Sequence, residues 1–366
     1  MSLSKATKRA PEPELFRLHR NGKRGSPLSV GTDFSGLEAP IIALKTLRLD
    51  HEHLFSSDNN KACQKIINHC YGPTHLHEDV SGRDTSGMPR VDLYIFGFPC
   101  QPFSRMGKRA GAFDKRGLLV DESLKYIKDK HPRCILGENV ETFPTQHPEL
   151  MAYIITTLEA LNYTCEWKIL NSLDYCIPQS RPRWYLSGID SDFVRANTDL
   201  FPPPFSVCVP LDSLVTKLPT DQWQAHPPKD TLAYKNVMKA YAKATAKGVN
   251  PFISPVVVDA GASEKFSNSR IGGCPCLTRS RAGTFGHWCS TKGGYLDTAD
   301  MSRLMGFEES MVDWAGAGVS AFQYASCLGN SMSVNILTEL IPRILYKAKL
   351  CTNKELDSIT TLKSGM

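Results

Sequence analysis

The sequence predicts an α/β protein, a mostly parallel sheet flanked by helices and followed by a smaller, irregular second domain. Three observations predict it. Between Ser26 and Asp190, short β-rich runs alternate with helical patterns at the spacing of βαβ units. The unusual turns, at Phe34–Gly36, Asp58, Asp79, Pro99–Cys100 and Glu138–Asn139, all fall at predicted strand ends, where such sheets bind ligands. After Asp190 the rhythm stops and prolines and glycines take over.

Taken in order, residues 28–34 form a strand that ends at Ser35-Gly36, and apolar residues at 37, 41, 44 and 47 mark a helix to Leu49. A short strand at 53–56 precedes a helix from Asn60 to Cys70, closed before Gly72-Pro73. Residues 91–97 are a strand, 118–130 a helix, 133–137 a buried strand and 151–161 a helix, with strands near 164–170 and 183–189. Residues 191–297 hold many prolines and then a run rich in Gly, Ser, Arg and Thr, which reads as the small domain. Helical periodicity returns at 299–305 and from 321 to 350, so 298–366 completes the first domain.

The chain has 366 residues and a formal charge of +6, with 41% hydrophobic and 22% charged residues, which excludes global disorder. No apolar run reaches membrane-spanning length, and no secretory signal opens the chain, so it is expected not to be secreted. Residues 1–26 carry seven basic residues against Glu12 and Glu14, a local +5, and read as a basic, disordered arm; the catalytic part is expected to begin at 27. The twelve cysteines show no zinc spacing, so no metal is expected, and free thiols in a reducing compartment are.

Cys100 differs from the rest. It follows Pro99 just beyond a buried strand, on a stiff turn where a thiolate can be exposed and nucleophilic if neighbours lower its pKa. The bland alternative is a buried cysteine in a turn. Its surroundings, Gly97-Phe98-Pro99-Cys100-Gln101-Pro102-Phe103-Ser104, resemble the catalytic motif of the cytosine-5 DNA methyltransferases. Further blocks resemble that family in order: Asp33-Phe34-Ser35-Gly36, Glu138-Asn139-Val140, Gln179-Ser180-Arg181-Pro182-Arg183, Arg303-Leu304-Met305-Gly306-Phe307 and Gly329-Asn330-Ser331-Met332. The resemblance runs from about 28 to 345 and implies a Rossmann-like class I methyltransferase fold with a seven-stranded sheet. It makes the small domain a target-recognition domain.

The resemblance also implies a chemistry. Carbon 5 of cytosine is a poor nucleophile until a thiolate adds at carbon 6, a role that falls to Cys100. Protonation at ring nitrogen 3 falls to Glu138, which must then carry a proton, so a pKa raised by burial is expected. Asn139 holds the Pro-Cys turn, while Arg183, and with it Arg181, orients the base and the carboxylate. S-adenosylmethionine is the implied cofactor and S-adenosylhomocysteine its product. The implied contacts are Phe34, Gly36, Leu37, Asp58, Asp79, Val80, Pro99, Leu119, Asn330 and Ser331. Where the family usually carries a further glycine stands Glu38, whose charge is expected to repel the cofactor's carboxylate.

Arg105, Lys108, Arg109, Lys115 and Arg116 against Asp114 make the segment 102–117 a local +4, the composition of a lid over a nucleic-acid backbone. With Ser104, Thr278 and Arg279, the residues Arg105, Lys108 and Arg109 are the candidate DNA contacts. The implied partner is double-stranded DNA, engaged by a monomer with the base flipped out, in the nucleus of a eukaryote or the cytoplasm of a bacterium. Two alternatives stand beside it. One is the family branch that methylates cytosine in transfer RNA, since Cys276-Leu277-Thr278 sits where that branch carries Cys-Phe-Thr. The other is a catalytically silent DNA-binding relative, for which Glu38 gives some footing.

Overall fold

In the computed structural model, residues 15–20, 23–99, 119–206 and 208–363 are described. Cys100, Ser104, Arg105, Lys108 and Arg109, with the basic segment around them, lie outside the described residues. Seven strands form the main sheet: β1 (Leu28–Asp33), β2 (His51–Ser57), β3 (His75–His77), β4 (Leu93–Phe96), β5 (Cys134–Val140), β6 (Tyr163–Asn171) and β7 (Pro182–Asp190). Their order is 3-2-1-4-5-7-6, and only β7 runs against the others. The order reverses between β1 and β4, which opens a crevice at the carboxyl ends of these strands. The turns singled out at Phe34–Gly36, Asp58, Asp79 and Pro99 lie at that end, whereas Glu138–Asn139 are no turn but the continuation of β5, which runs on to Val140 because its register on β7 extends to Arg183.

The helices follow from the sequence pattern. α1 (Ala39–Thr46) opens with Pro40 in its first turn, where no backbone donor is needed, after Glu38 in the left-handed region at φ 56°. α2 (Lys61–Cys70) is capped by the Asn60 side chain accepting from the Ala62 N–H. α3 (Leu119–Lys130) and α4 (Pro148–Ala160) cover the other face of the sheet, packing around Tyr94, Phe96, Trp184 and Leu186. β3 went unread in the sequence because it is three residues long, with a single apolar residue between two histidines.

The folded body includes residues 15–18, which corrects the disordered arm expected there and the boundary at 27; residues 1–14 lie outside the described residues. The backbone of Phe16 donates to the Arg48 carbonyl and accepts from Asp50, Arg17 pairs with Asp50 at 2.7 Å, and Leu18 is buried in the main core. Leu18 in the core and Phe16 packed against it supply the apolar surface that fixes this basic stretch.

The small domain is also more regular than its composition suggests. β8 (Val256–Asp259), β9 (Ser269–Ile271), β10 (His287–Cys289) and β11 (Gly294–Tyr295) form an antiparallel sheet in the order 9-8-10-11. One face, with Val256, Val258 and Trp288, packs under α5 (Leu232–Thr245). The other, with Val257 and Cys289, joins the main core. Strands of two to four residues in a Gly- and Pro-rich stretch leave little period-2 signal, which explains the difference. A short helix, α6 (Arg279–Gly283), leads back toward β10.

The C-terminal part returns to the main body through α7 (Thr298–Leu304), α8 (Ala321–Asn330), α9 (Val334–Lys347) and α10 (Asn353–Lys363). The periodicity from 321 to 350 is broken at Ser331–Ser333, where extended backbone turns the chain across the crevice. Among the described residues no helix is long and apolar enough to cross a membrane.

Candidate active site

The crevice at the ends of β1 and β4 is lined by Thr32–Gly36, Ala39, Pro40, Ile95, Gly97, Glu138 and Asn330–Met332. Phe34 at φ 54° and Gly36 at φ 57° turn the loop after β1 back over the sheet, and glycine adopts that conformation without strain. Asp58, at the end of β2, accepts the Gly36 N–H at 2.8 Å and the Asn60 N–H at 2.8 Å. Burial pushes its carboxyl up, against those two bonds. Ser331 is buried, and its hydroxyl has no partner among the described residues.

On the other side of the crevice, β5 and β7 run antiparallel with Glu138 opposite Tyr185 and Val140 opposite Arg183. Glu138 and Arg183 are therefore diagonal neighbours on one face. Arg183 Nε lies 3.2 Å from Glu138 Oε1, with both side chains about one-seventh exposed or less. Burial raises the Glu138 pKa, and Arg183 and then Arg181 oppose the rise, so desolvation outweighs the cations. Asn139 points to the opposite face, where its amide donates to the Phe98 carbonyl at 3.1 Å, two residues before Cys100. Gly97 allows this crowding: a Cβ there would sit 2.8 Å from Met332 Cε and 3.5 Å from Glu138 Oε2.

Phe34, Gly36, Asn330, Ser331 and Glu138 thus meet in one crevice, with Asp58 tied to it through Gly36. Other expected contacts fall elsewhere. Leu37 is wholly buried in the main core, so its side chain is packing and not a lining group. Asp79 is exposed on the turn after β3 beside the buried Val80, Pro99 is exposed, and Leu119 is half-buried at the start of α3. Thr278 and Arg279 are exposed where the small domain meets α8; a Cβ on Gly329 would lie 2.5 Å from the Thr278 backbone.

Arg181 has different work from Arg183. It is 2% exposed, and its guanidinium donates to the carbonyls of Leu277 at 2.7 Å, Gly329 at 3.2 Å and Ser331 at 2.6 Å. This spends it on joining the small domain to the loop beside the crevice and corrects its expected place among the groups orienting the base. Gln179, to which the sequence reading assigned no role, acts alike: it donates to the Leu304 carbonyl at 2.5 Å and accepts from the Leu277 N–H at 3.2 Å. Its place two residues before Arg181 in one motif was the available signal. Cys276, in the sequence a marker of the transfer-RNA branch, has its Sγ 3.5 Å from Arg181 Nη1 and 3.7 Å from Arg183 Nη2.

Glu38 does not face the crevice. It is fully buried, and its carboxyl accepts from Thr32 at 2.8 Å and from Ser56, with His53 Nε2 3.5 Å away. Repulsion of a bound carboxylate is therefore not its effect. Burial pushes Glu38 up from 4.5 to about 7 and His53 down to about 3, so the two form no strong ion pair. Because the fold holds the Glu38 proton more tightly than the unfolded chain, this group's contribution to stability is full below pH 4.5 and is lost as pH rises to about 7. We expect Glu38→Gln to remove that loss, worth about 3 kcal/mol from the size of the shift. Thermal melts of both proteins at pH 5 and pH 8 check it; a gap unchanged between the two pH values would refute it.

A seven-stranded sheet in this order, with one reversed strand and a crevice at the carboxyl ends, defines a Rossmann-like methyltransferase. The chain belongs to the C-5 cytosine-specific DNA methylase family, whose description matches residues 34–346, and is thereby a DNA (cytosine-5-)-methyltransferase. It is similar to the Type II methyltransferase M.NgoBI of Neisseria gonorrhoeae, 29% identical over 81% of this chain and 88% of that one. It is also similar to M.HhaI of Haemophilus parahaemolyticus, 27% identical over 83% and 90%. Among solved structures, S. pombe Dnmt2 superposes with a TM-score of 0.60 at 18% identity, covering 87% of this chain and 98% of that one. A putative DNA modification methyltransferase of an E. coli prophage gives 0.57 at 18%, over 87% and 99%. These two show a shared fold.

Proposed function

We propose that the protein methylates carbon 5 of cytosine in duplex DNA, using S-adenosylmethionine and a transient bond from Cys100 to carbon 6 of a flipped base. The observation that carries this reading is the Glu138–Arg183 pair on the wall of the crevice, with Asn139 holding the Phe98 carbonyl just before Cys100. The crevice suits the cofactor. Phe34 offers a ring, Gly36 a close backbone and Ser331 an unpartnered hydroxyl, while Asp58 offers a carboxylate of the kind that takes ribose hydroxyls. When bound, S-adenosylmethionine supplies the electrophilic methyl group.

The residues then divide the work. The Cys100 thiolate adds to carbon 6, and the electron pair moves through the ring as Glu138 delivers its proton to nitrogen 3. Carbon 5, now an enamine carbon, is the nucleophile. After methylation the carbon 5 proton passes to solvent water, its bonding electrons re-form the carbon 5–carbon 6 double bond and expel the Cys100 thiolate, and Glu138 takes its proton back from nitrogen 3. Arg183 holds the carboxyl in place and faces the base's carbonyl oxygen, an electrostatic role suited to a water-poor site.

Cys100→Ser is expected to abolish methyl transfer and to leave binding of S-adenosylhomocysteine intact. The assay incubates the protein with labelled S-adenosylmethionine and either duplex DNA or total transfer RNA. Label in RNA alone sinks the DNA reading, label in neither favours a silent DNA-binding relative, and turnover by Cys100→Ser refutes the nucleophile.

A further inference from the structure

At the floor of the crevice, where Asp33 is one of the lining residues, lies an ion pair for which the proposed chemistry has no use. Asp33, the last residue of β1, is 1% exposed and Arg83 is 7% exposed. Arg83 grips Asp33 with both ends of its fork, Nη1 to Oδ1 at 2.7 Å and Nη2 to Oδ2 at 2.6 Å. Ser57 and Tyr94 add hydroxyl bonds to the same carboxylate, at 2.7 and 2.5 Å. The guanidinium also sits 5.6 Å from the Phe55 ring centroid. Burying two charges is costly, and apolar residues of similar volume stabilise a core as well or better, so packing alone does not explain the pair.

Its attachments along the chain do. Asp33 leads directly into Phe34 and the left-handed loop of the crevice. Arg83 closes a turn on the Val80 carbonyl at 3.2 Å, and Asp79 is the residue before Val80. That turn follows β3, a three-residue strand at the sheet edge, so backbone pairing holds it only at its start. The geometry points to Arg83 as a positioning residue of the cofactor site, which through Asp33 sets the Asp79–Val80 turn against the Phe34 loop. This rests on the cofactor contacts that the resemblance implies for Phe34, Asp79 and Val80, of which Phe34 lines the crevice while Asp79 and Val80 lie on the turn that Arg83 closes. No feature of the sequence around Arg83 marks it; only the fold brings it to Asp33, fifty residues away in the chain.

Two variants test it. Arg83→Lys keeps the charge and loses the fork. The double variant Asp33→Asn with Arg83→Met removes both charges and leaves an acceptor oxygen for one of the two hydroxyls, Ser57 or Tyr94, and an amide N–H that the other can accept. S-adenosylhomocysteine is titrated calorimetrically into wild type and variants, alongside thermal melts and steady-state kinetics on DNA. Both variants are expected to fold and to bind the probe about tenfold more weakly. The loss should appear in KM for S-adenosylmethionine more than in kcat, a split that general destabilisation would not produce. Folded variants that bind within twofold of wild type, or that lose only kcat, overturn the role. If neither variant folds, the pair serves stability and the role is likewise overturned. If wild type itself does not bind the probe, the cofactor reading falls and takes this role with it.

Discussion

Glu138→Gln should lower methyl transfer by about a hundred- to ten-thousandfold, the range that a positioned proton donor contributes. The side chain sits on β5 at the crevice wall, where burial raises its pKa despite Arg183 at 3.2 Å. Glutamine keeps the volume and a hydrogen bond to the base but has no proton to give. The loss should therefore appear in single-turnover chemistry, while the affinity for S-adenosylhomocysteine changes little. In wild type, activity should fall on the alkaline side as the Glu138 proton is lost, and the residual activity of the variant should lack that limb. A variant within threefold of wild type in single turnover would remove Glu138 from the chemistry.

Arg181→Met should be the most destabilising single change at the site. It leaves the carbonyls of Leu277, Gly329 and Ser331 unpaired in a buried place, each costing about 1–3 kcal/mol. Those costs are not additive, and about 3 kcal/mol in total is a reasonable lower figure, enough to lower Tm by several degrees. Because the three carbonyls belong to the small domain, to the last turn of α8 and to the loop after it, proteolysis should become faster between these parts. Weaker binding of S-adenosylhomocysteine should follow, since Ser331 lines the crevice. Arg183 is the contrast: it bonds to Glu138, so its loss should act on turnover more than on Tm. An Arg181→Met protein with the wild-type melting point and no turnover would return Arg181 to the chemistry and sink the bridging role.

The two arginines show how far the chain could be read. Both stand in one motif, two residues apart, Arg183 on β7 and Arg181 just before it. Which one meets the carboxylate depends on the antiparallel register of β7 on β5, which sets Arg183 diagonal to Glu138. It depends also on Leu277 and Ser331 arriving from 96 and 150 residues away to occupy Arg181. Glu38 makes the same point. As a letter in the loop it reads as a charge facing the ligand, but its left-handed backbone turns it into the core, where Thr32 and Ser56 receive it.

By itself, the sequence determined the βαβ alternation, the clustering of odd turns at strand ends and the ordered motifs that name the family. Those are local properties: side-chain periodicity and turn chemistry act within a few residues and survive in one dimension. Only the tertiary structure decided that residues 15–18 belong to the body, that the small domain is a sheet sharing the main core, and that Arg83 and Arg181 are ties holding distant loops. Those outcomes depend on burial, which sets the protonation of Glu38 and Glu138 and the partners of each buried cation. Burial belongs to the assembled core and to no single stretch of chain.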